Sequence, residues 1–271
     1  MFTGLVVGVL LLLISVFMIF QTTCKVWGAE KPANATQQGI DVSSHQGKID
    51  WEQVKNSALA DYAIIRCGYG VNQTDKDDKY WDYNSSECER LGIPYGTYLY
   101  SGADTTAKAK SEAEHVVRLL QGKNLTYPIY YDMEADMLNQ LSSTQIGNIA
   151  KTFLNTMESY GYKNVAVYSN KYLFETKLTA SVFSDYPKWI AQHSNKCTYQ
   201  GSYHMWQYST QGVIPGISEK VDLNYKIGNW TYAGYSSAKK TVVVKPKATT
   251  IKSLRKSGKK AVKITYKKVS G

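Results

Sequence analysis

Cysteine, histidine and phenylalanine are scarce in this chain. Its 271 residues include 4 Cys, 4 His and 6 Phe. Neither a Cys-x-x-Cys pair nor a His/Cys cluster with zinc-ligand spacing occurs. If Cys24 leaves with an N-terminal signal, only Cys67, Cys88 and Cys197 remain, so at most one intramolecular disulfide forms. We therefore expect neither a disulfide-framework fold nor a metal site, and no other cofactor.

Acidic residues are absent from the end of the chain. Residues 239–271 contain twelve Lys and Arg but no Asp or Glu. Removing these twelve charges from the net charge of +10 leaves about −2 for all earlier residues. The basic character therefore belongs to the tail, and nucleic-acid binding by the main part has no compositional support.

Charged residues are also absent from the N-terminus. Residues 4–20 are apolar apart from Ser15, a run that is short for a membrane span and suits the core of a signal peptide. The first cationic residue, Lys25, follows this run, whereas a signal peptide usually carries its positive charge before it. We expect residues 1–28 to be either a cleaved signal or an uncleaved membrane anchor.

Short apolar runs alternate with amphipathic stretches through the main part of the chain. Apolar strands of this kind, separated by helices, indicate a parallel sheet covered on both faces. About eight strands predict an α/β barrel of the TIM-barrel type over residues 36–232, and the short later connections predict an irregular one. The predicted strands are 39–43, 62–66, 94–100, 128–131, 165–168, 188–191, 204–208 and 220–223. The predicted helices are 49–58, 81–91, 107–120 and 142–160.

An acid pair follows the fourth predicted strand. In Tyr130-Tyr131-Asp132-Met133-Glu134 the two carboxylates are two residues apart, so an extended backbone directs both to one face. Two acids at that spacing cannot both ionise freely, and one becomes a proton donor beside a carboxylate. Glycosidic-bond hydrolysis needs this combination.

Further polar and aromatic residues fall on or near other predicted strands. Asp41 stands within an apolar strand, where an unpaired carboxylate would be costly, and Asp222 lies near the end of the last predicted strand. The remaining candidates are Arg66, Tyr69, Tyr98, Tyr100, Tyr168, Trp189 and Gln207. Because reactive groups of such barrels gather at the C-terminal strand ends, we expect these side chains to share one site.

In order and spacing, these motifs resemble glycoside hydrolase family 25, the Chalaropsis-type N-acetylmuramidases, over residues 39–225. The resemblance implies a flattened, irregular (β/α) barrel. It also implies a lysozyme that hydrolyses the β-1,4 bond between N-acetylmuramic acid and N-acetylglucosamine in bacterial peptidoglycan.

Site roles are likewise implied by the resemblance. Glu134 matches the general acid, and Asp132 matches its partner, which either attacks the anomeric carbon or orients the substrate's N-acetyl group. Asp41 and Asp222 match two further acids of the site. The aromatic candidates and Gln207 match sugar-contacting positions, whereas Arg66 either contacts substrate or pairs with one of the acids.

The last part of the chain has a different pattern. After a linker at 233–240, residues 241–271 are Lys-rich with β-type runs at 241–244 and 261–266. They resemble the start of a fibronectin type III-like repeat. Because this segment is too short to close a β-sandwich core, we expect the sequence to stop inside the repeat.

Two alternatives to a lysozyme stay open at this level. Chitin shares the β-1,4-linked N-acetylglucosamine, so a chitin or chitooligosaccharide hydrolase is one. The other is a non-catalytic wall-binding module, in which the basic tail holds anionic wall polymers. In each case we expect a secreted or cell-surface monomer that binds peptidoglycan or a related polymer and meets the membrane only through residues 1–28.

Overall fold

The computed structural model describes residues 29–230, 251–256 and 262–266. Eight strands form a closed barrel, paired in chain order from the first to the eighth. The strands are β1 (Ala35–Val42), β2 (Tyr62–Tyr69), β3 (Tyr95–Tyr100), β4 (Ile129–Asp132), β5 (Val165–Asn170), β6 (Lys188–Ala191), β7 (Met205–Gly212) and β8 (Val221–Ile227). Each contains or overlaps a predicted strand, so the predicted α/β barrel is confirmed.

Helices cover the first half of the barrel more completely than the second. They are α1 (Trp51–Ser57), α2 (Trp81–Leu91), α3 (Thr106–Leu119), α4 (Ser143–Ser159), α5 (Lys171–Thr176) and α6 (Val182–Asp185). The short α5 and α6 share one connection, and the segment from β6 to β7 has no helix. The predicted irregularity of the later barrel therefore agrees with the structure.

Side-chain caps mark the starts of two helices. The Asp50 side chain accepts a hydrogen bond from the backbone N–H of Gln53 at the start of α1. At the start of α4, Ser142 and Gln145 form a capping box, in which each side chain accepts from the other residue's backbone N–H. These bonds satisfy N–H groups that the first turn of a helix leaves unpaired.

Strand direction departs from the all-parallel expectation at β8. Strands β1 to β7 pair in parallel, but β8 is antiparallel to both β7 and β1. Only residues 213–220 connect β7 to β8. A parallel crossover needs a dozen or more residues, so a connection of this length returns the chain in the opposite direction.

Aromatic side chains fill much of the barrel interior. Trp189 packs edge-on against Tyr130, with ring centroids 4.9 Å apart, and lies tilted 4.4 Å from the ring of Tyr168. Near the opposite end, Tyr62 stacks on Tyr127 at 4.3 Å. Because such rings bury large apolar areas, they form a packed core rather than a channel.

A buried carboxylate holds the ends of β3 and β4 together. Glu112, on α3, accepts hydrogen bonds from the Tyr131 hydroxyl (2.6 Å), the Ser101 hydroxyl (2.9 Å) and the Gly102 backbone N–H (2.8 Å). The backbone N–H of Ser101 in turn donates to the carbonyl of Asp132 at 2.9 Å. This network fixes the backbone from which Asp132 projects.

The chain divides into two compact units, Met1–Ser237 and Ala238–Gly271. In the second unit, Ile251–Lys256 and Val262–Tyr266 pair as antiparallel strands, and the latter coincides with the β-type run predicted at 261–266. The predicted N-terminal segment 1–28, the linker 233–240 and the run at 241–244 lie outside the described residues. Within the described parts, no helix combines the length and hydropathy required to span a membrane.

Candidate active site

Four carboxylates gather at one rim of the barrel. Asp132 is the last residue of β4, Glu134 lies two residues beyond it, and Asp41 is the penultimate residue of β1. Asp222 does not lie at the end of its strand, as the sequence suggested, but is the second residue of β8. Because β8 runs antiparallel, its start lies at the rim where β1 ends, and Asp222 is the direct pairing partner of Asp41.

The backbone around the acid pair stays extended beyond β4. The backbone N–H of Met133 donates to the carbonyl of Tyr168 at 2.9 Å, and the Ser169 hydroxyl donates to the carbonyl of Met133 at 2.6 Å. Met133 is completely buried. Since successive side chains of an extended backbone alternate in direction, Asp132 and Glu134 turn to the face opposite Met133.

Amide side chains hold the two acids contributed by β1 and β8. Asp41 Oδ2 accepts from Asn224 Nδ2 at 2.7 Å and from Gln207 Nε2 at 3.0 Å. The same Gln207 nitrogen lies 3.4 Å from Asp222 Oδ2. One amide therefore bridges two carboxylates that would otherwise repel each other.

Burial and mutual repulsion raise the pKa of all four carboxyl groups. Burial is the largest cause for each. The facing Asp222 adds to the rise for Asp41, and Glu134 adds to the rise for Asp132. The pKa of Glu134 is raised by burial and by Asp41, and that of Asp222 is raised to about 6. The cluster thus retains protons in a pH range where exposed carboxyl groups have lost them.

Among the described residues, positive charge near these acids is sparse. Arg66 lowers the pKa of Asp132, and His193 lowers that of Glu134, but neither offsets the effect of burial. Asp132 Oδ1 is buried and has no hydrogen-bond partner among the described residues. The described residues therefore compensate the Asp132 charge only in part.

Three predicted sugar-contacting tyrosines lie beside the acids. Burial raises the pKa of Tyr98, Tyr100 and Tyr168, and in each case the Asp132 carboxylate raises it further, which places all three close to this carboxylate. The Tyr168 hydroxyl donates to Gln207 Oε1 at 3.0 Å. The structure thus brings Gln207 and these tyrosines together with the acids.

The other candidates occupy different surroundings. Trp189 is only 1% exposed, and its indole N–H donates to Asn224 Oδ1 at 2.8 Å, so it supports the acids from inside the barrel rather than presenting a surface to sugar. Arg66 pairs with Asp78 at 2.8 Å instead of with one of the four acids. Tyr69 is 38% exposed, with Lys76 over its ring.

Three residues of this site were not among those predicted from the sequence. Asn224 stands two positions after Asp222, and that spacing alone could have placed it on the same face. Asp78 lies between β2 and α2, and His193 lies between β6 and β7, where strand periodicity gives no guidance. Their positions follow only from the folded chain.

The geometry can be compared with known proteins. The model of the family "Glycosyl hydrolases family 25" matches residues 40–217, about two thirds of the chain. This chain belongs to that family. The match confirms the predicted family and, with it, the predicted class of glycoside hydrolase.

Three individual proteins illustrate the relationship. The autolytic lysozyme of Clostridium acetobutylicum is 30% identical over 188 residues, which cover 69% of this chain and 55% of that protein. The modular autolysin LytC of Streptococcus pneumoniae is 33% identical with a TM-score of 0.64, over 70% of this chain and 46% of LytC. This chain therefore spans about half the length of each of these two proteins.

A family 25 glycosyl hydrolase from Bacillus anthracis shares the fold over nearly its whole length. It has a TM-score of 0.65 at 20% identity and is matched over 76% of this chain and 95% of its own. LytC has also been solved in complex with a synthetic peptidoglycan ligand, and that structure matches with a TM-score of 0.63.

Because the pKa of Asp222 is raised, we expect removal of its negative charge to stabilise the folded state. Its folded-state pKa of about 6 exceeds the ordinary value of 3.8, so its contribution to stability is lost as the pH rises through about 6. We expect Asp222→Asn to increase the free energy of unfolding by about 1–2 kcal/mol near pH 7.5, and this gain to shrink towards pH 4. Urea denaturation at both pH values measures this.

Asp75→Asn is the matched control, because Asp75 is exposed and makes no described contact with the four acids. A destabilised Asp222→Asn near neutral pH would contradict the electrostatic account.

Proposed function

We propose that this chain is a lysozyme that hydrolyses the β-1,4 bond between N-acetylmuramic acid and N-acetylglucosamine in peptidoglycan. The observation that carries the proposal is the Asp132–Glu134 pair, buried among raised-pKa carboxyl groups at the rim of a family 25 barrel. The autolytic lysozyme and the peptidoglycan complex of LytC among its relatives support the substrate class.

Glu134 is proposed as the general acid. Its raised pKa keeps a proton on the carboxyl group that protonates the departing glycosidic oxygen. In the second step the same group, now a carboxylate, takes a proton from the attacking water. This double use requires a pKa that is neither ordinary nor extreme, because the group must donate and then accept.

Asp132 is proposed as the partner on the same extended segment. Its carboxylate either attacks the anomeric carbon or orients the substrate's N-acetyl group, which then attacks. Asp41 and Asp222 are proposed to keep the rim negative and to hydrogen-bond the sugar. A concentrated negative field of this kind stabilises the positive charge that develops on the sugar ring in an oxocarbenium-like transition state.

Sugar contacts are proposed for the groups around the acids. The rings of Tyr98, Tyr100 and Tyr168 pair an apolar face with a hydroxyl, which suits stacking and hydrogen bonding to a pyranose. Gln207 is proposed as a polar contact, and Tyr69 extends the aromatic surface at the exposed end of β2. Arg66 acts on substrate only through the Asp132 charge, because its guanidinium is held by Asp78 and Ser44.

The domain organisation proposed for the whole chain follows its composition. Residues 1–28 are proposed as a signal or anchor, 36–232 as the catalytic barrel, 233–240 as a linker and 241–271 as the start of a fibronectin type III-like repeat. With this organisation we propose a monomeric enzyme that acts outside the cell or on its surface. The twelve cations of the tail suit binding to anionic wall polymers.

Removing the tail should weaken wall binding without affecting catalysis. We expect residues 29–235 to hydrolyse soluble muropeptides like the full chain, but to bind whole cell walls less tightly and with less dependence on salt, since screening acts on the removed charges. Sedimentation with purified walls over a salt series measures this. Unchanged wall binding would show that the tail does not bind the wall. An inactive fragment would show that the tail belongs to the catalytic unit.

Glu134→Gln should abolish hydrolysis while keeping the shape of the site. Loss of general-acid assistance costs about 10²–10⁴-fold in rate. The measurement is reducing-end release from purified peptidoglycan with product masses, and chitin serves as the comparison substrate. Glu158→Gln is the control, because Glu158 is exposed at the end of α4. If the activity of Glu134→Gln stays within tenfold of the parent, another residue is the general acid.

The reaction should proceed with net retention at the anomeric carbon. Inverting enzymes separate their carboxyl groups by about 6.5–9.5 Å to admit a water, whereas side chains two residues apart on one face can converge within that distance. Proton NMR of the first-formed product should show the β-anomer. An α-anomer appearing first would require a more distant partner for Glu134, such as Asp41 or Asp222.

A further inference from the structure

His193 contacts Gln207, the amide beside the carboxylate cluster, from a loop outside the strands. It lies at the start of the segment that connects β6 to β7, with its ring exposed at the rim. Its Nε2 is 3.0 Å from Gln207 Oε1, and its positive charge lowers the pKa of Glu134. It therefore contacts the amide that bridges two of the acids and lies near the acid proposed to protonate the substrate.

The hydrogen-bond network fixes where His193 carries a proton. Gln207 directs Nε2 at Asp41 and Asp222, so its Oε1 must face Tyr168 and His193. An amide oxygen only accepts hydrogen bonds. Both the Tyr168 hydroxyl and the His193 ring therefore donate to it, and His193 carries a hydrogen on Nε2.

The other ring nitrogen of His193, Nδ1, has no hydrogen-bond partner among the described residues. The ring is exposed. A second proton can therefore bind at Nδ1 from solvent without breaking the Nε2–H bond to Gln207. The side chain can change its charge while its position stays the same.

We propose that His193 is a positioning residue with a second, electrostatic role: its Nε2–H holds the Gln207 amide, and its imidazolium form supplies a counter-charge to Glu134. The proposal rests on the proposed function only in giving Glu134 the role of acid. The contact with Gln207 and the charge coupling to Glu134 exist whatever the substrate.

The surroundings of Glu134 show why one cation matters. Asp41 of β1 raises the Glu134 pKa, and His193 is the group that lowers it. The Glu134 charge in turn raises the pKa of four neighbours: Asp132 of β4, Asp222 of β8, Tyr100 of β3 and Tyr168 of β5. Arg66 of β2 lowers the pKa of Asp132 instead. His193 thus limits how far burial and the acidic neighbours raise the pKa of Glu134.

The direction of the effect on catalysis follows from the sign of the charge. An imidazolium favours the Glu134 carboxylate, so its removal lets Glu134 keep its proton to higher pH. In His193→Gln an amide N–H can still reach Gln207, but no charge can form. We expect the alkaline limb of kcat/KM on a soluble muropeptide to move up by roughly 0.2–0.7 pH unit.

His193→Ala separates the two roles. It removes the donor to Gln207 as well as the charge, so we expect the same shift of the limb together with a several-fold loss of kcat at the optimum. His45→Gln is the control, because His45 is also exposed but makes no described side-chain contact with the four acids. Equal losses at every pH in both His193 variants, with no shift, would overturn the electrostatic role.

A second measurement does not depend on activity. The charge of the His193 imidazolium acts on the Glu134 carboxyl group whether or not a substrate is bound. NMR titration of the Glu134 side-chain carboxyl carbon in the full chain should show a higher Glu134 pKa in His193→Gln than in the parent, and no such change in His45→Gln. An unchanged Glu134 titration in His193→Gln would overturn the inference, even if the protein is inactive as a lysozyme.

Discussion

The pairing of β8 with β1 is the contact on which the site depends. It closes the barrel, and because β8 runs antiparallel it sets Asp222 directly opposite Asp41 at the rim. Asn224 follows on the same face of β8. Its amide nitrogen donates to the Asp41 carboxylate, and its amide oxygen accepts from the Trp189 indole N–H. One strand therefore supplies an acid, the donor that stabilises its partner, and the link to the aromatic core.

Electrostatic repulsion within the rim is the cost of this arrangement. Four carboxyl groups share one partly buried region, and the pKa of each is raised because burial and neighbouring charge disfavour ionisation. The amides of Gln207 and Asn224 offset part of this cost by donating to Asp41. The remaining repulsion keeps protons on the carboxyl groups, and in the proposed reaction it favours the positive charge that develops on the sugar.

Much of the frame could be predicted from the order of residues along the chain. Strand positions follow from apolar runs such as 62–66 and 188–191, and helix starts follow from caps such as Asp50 and Ser142. The Asp132–Glu134 pair is also a local feature, because residues two apart on extended backbone share a face. These properties depend on neighbours in sequence, so the sequence by itself determined them.

Other properties required the closed barrel. Because β8 is antiparallel, Asp222 lies at the start of its strand rather than at the end. The short connection that reverses the chain has this effect only when the sheet closes. Trp189 points into the core, and Arg66 pairs with Asp78 rather than with the four acids. His193 reaches Gln207 from a loop without periodicity. The tertiary structure alone decided these contacts, because each joins side chains whose distance depends on how whole strands and loops pack.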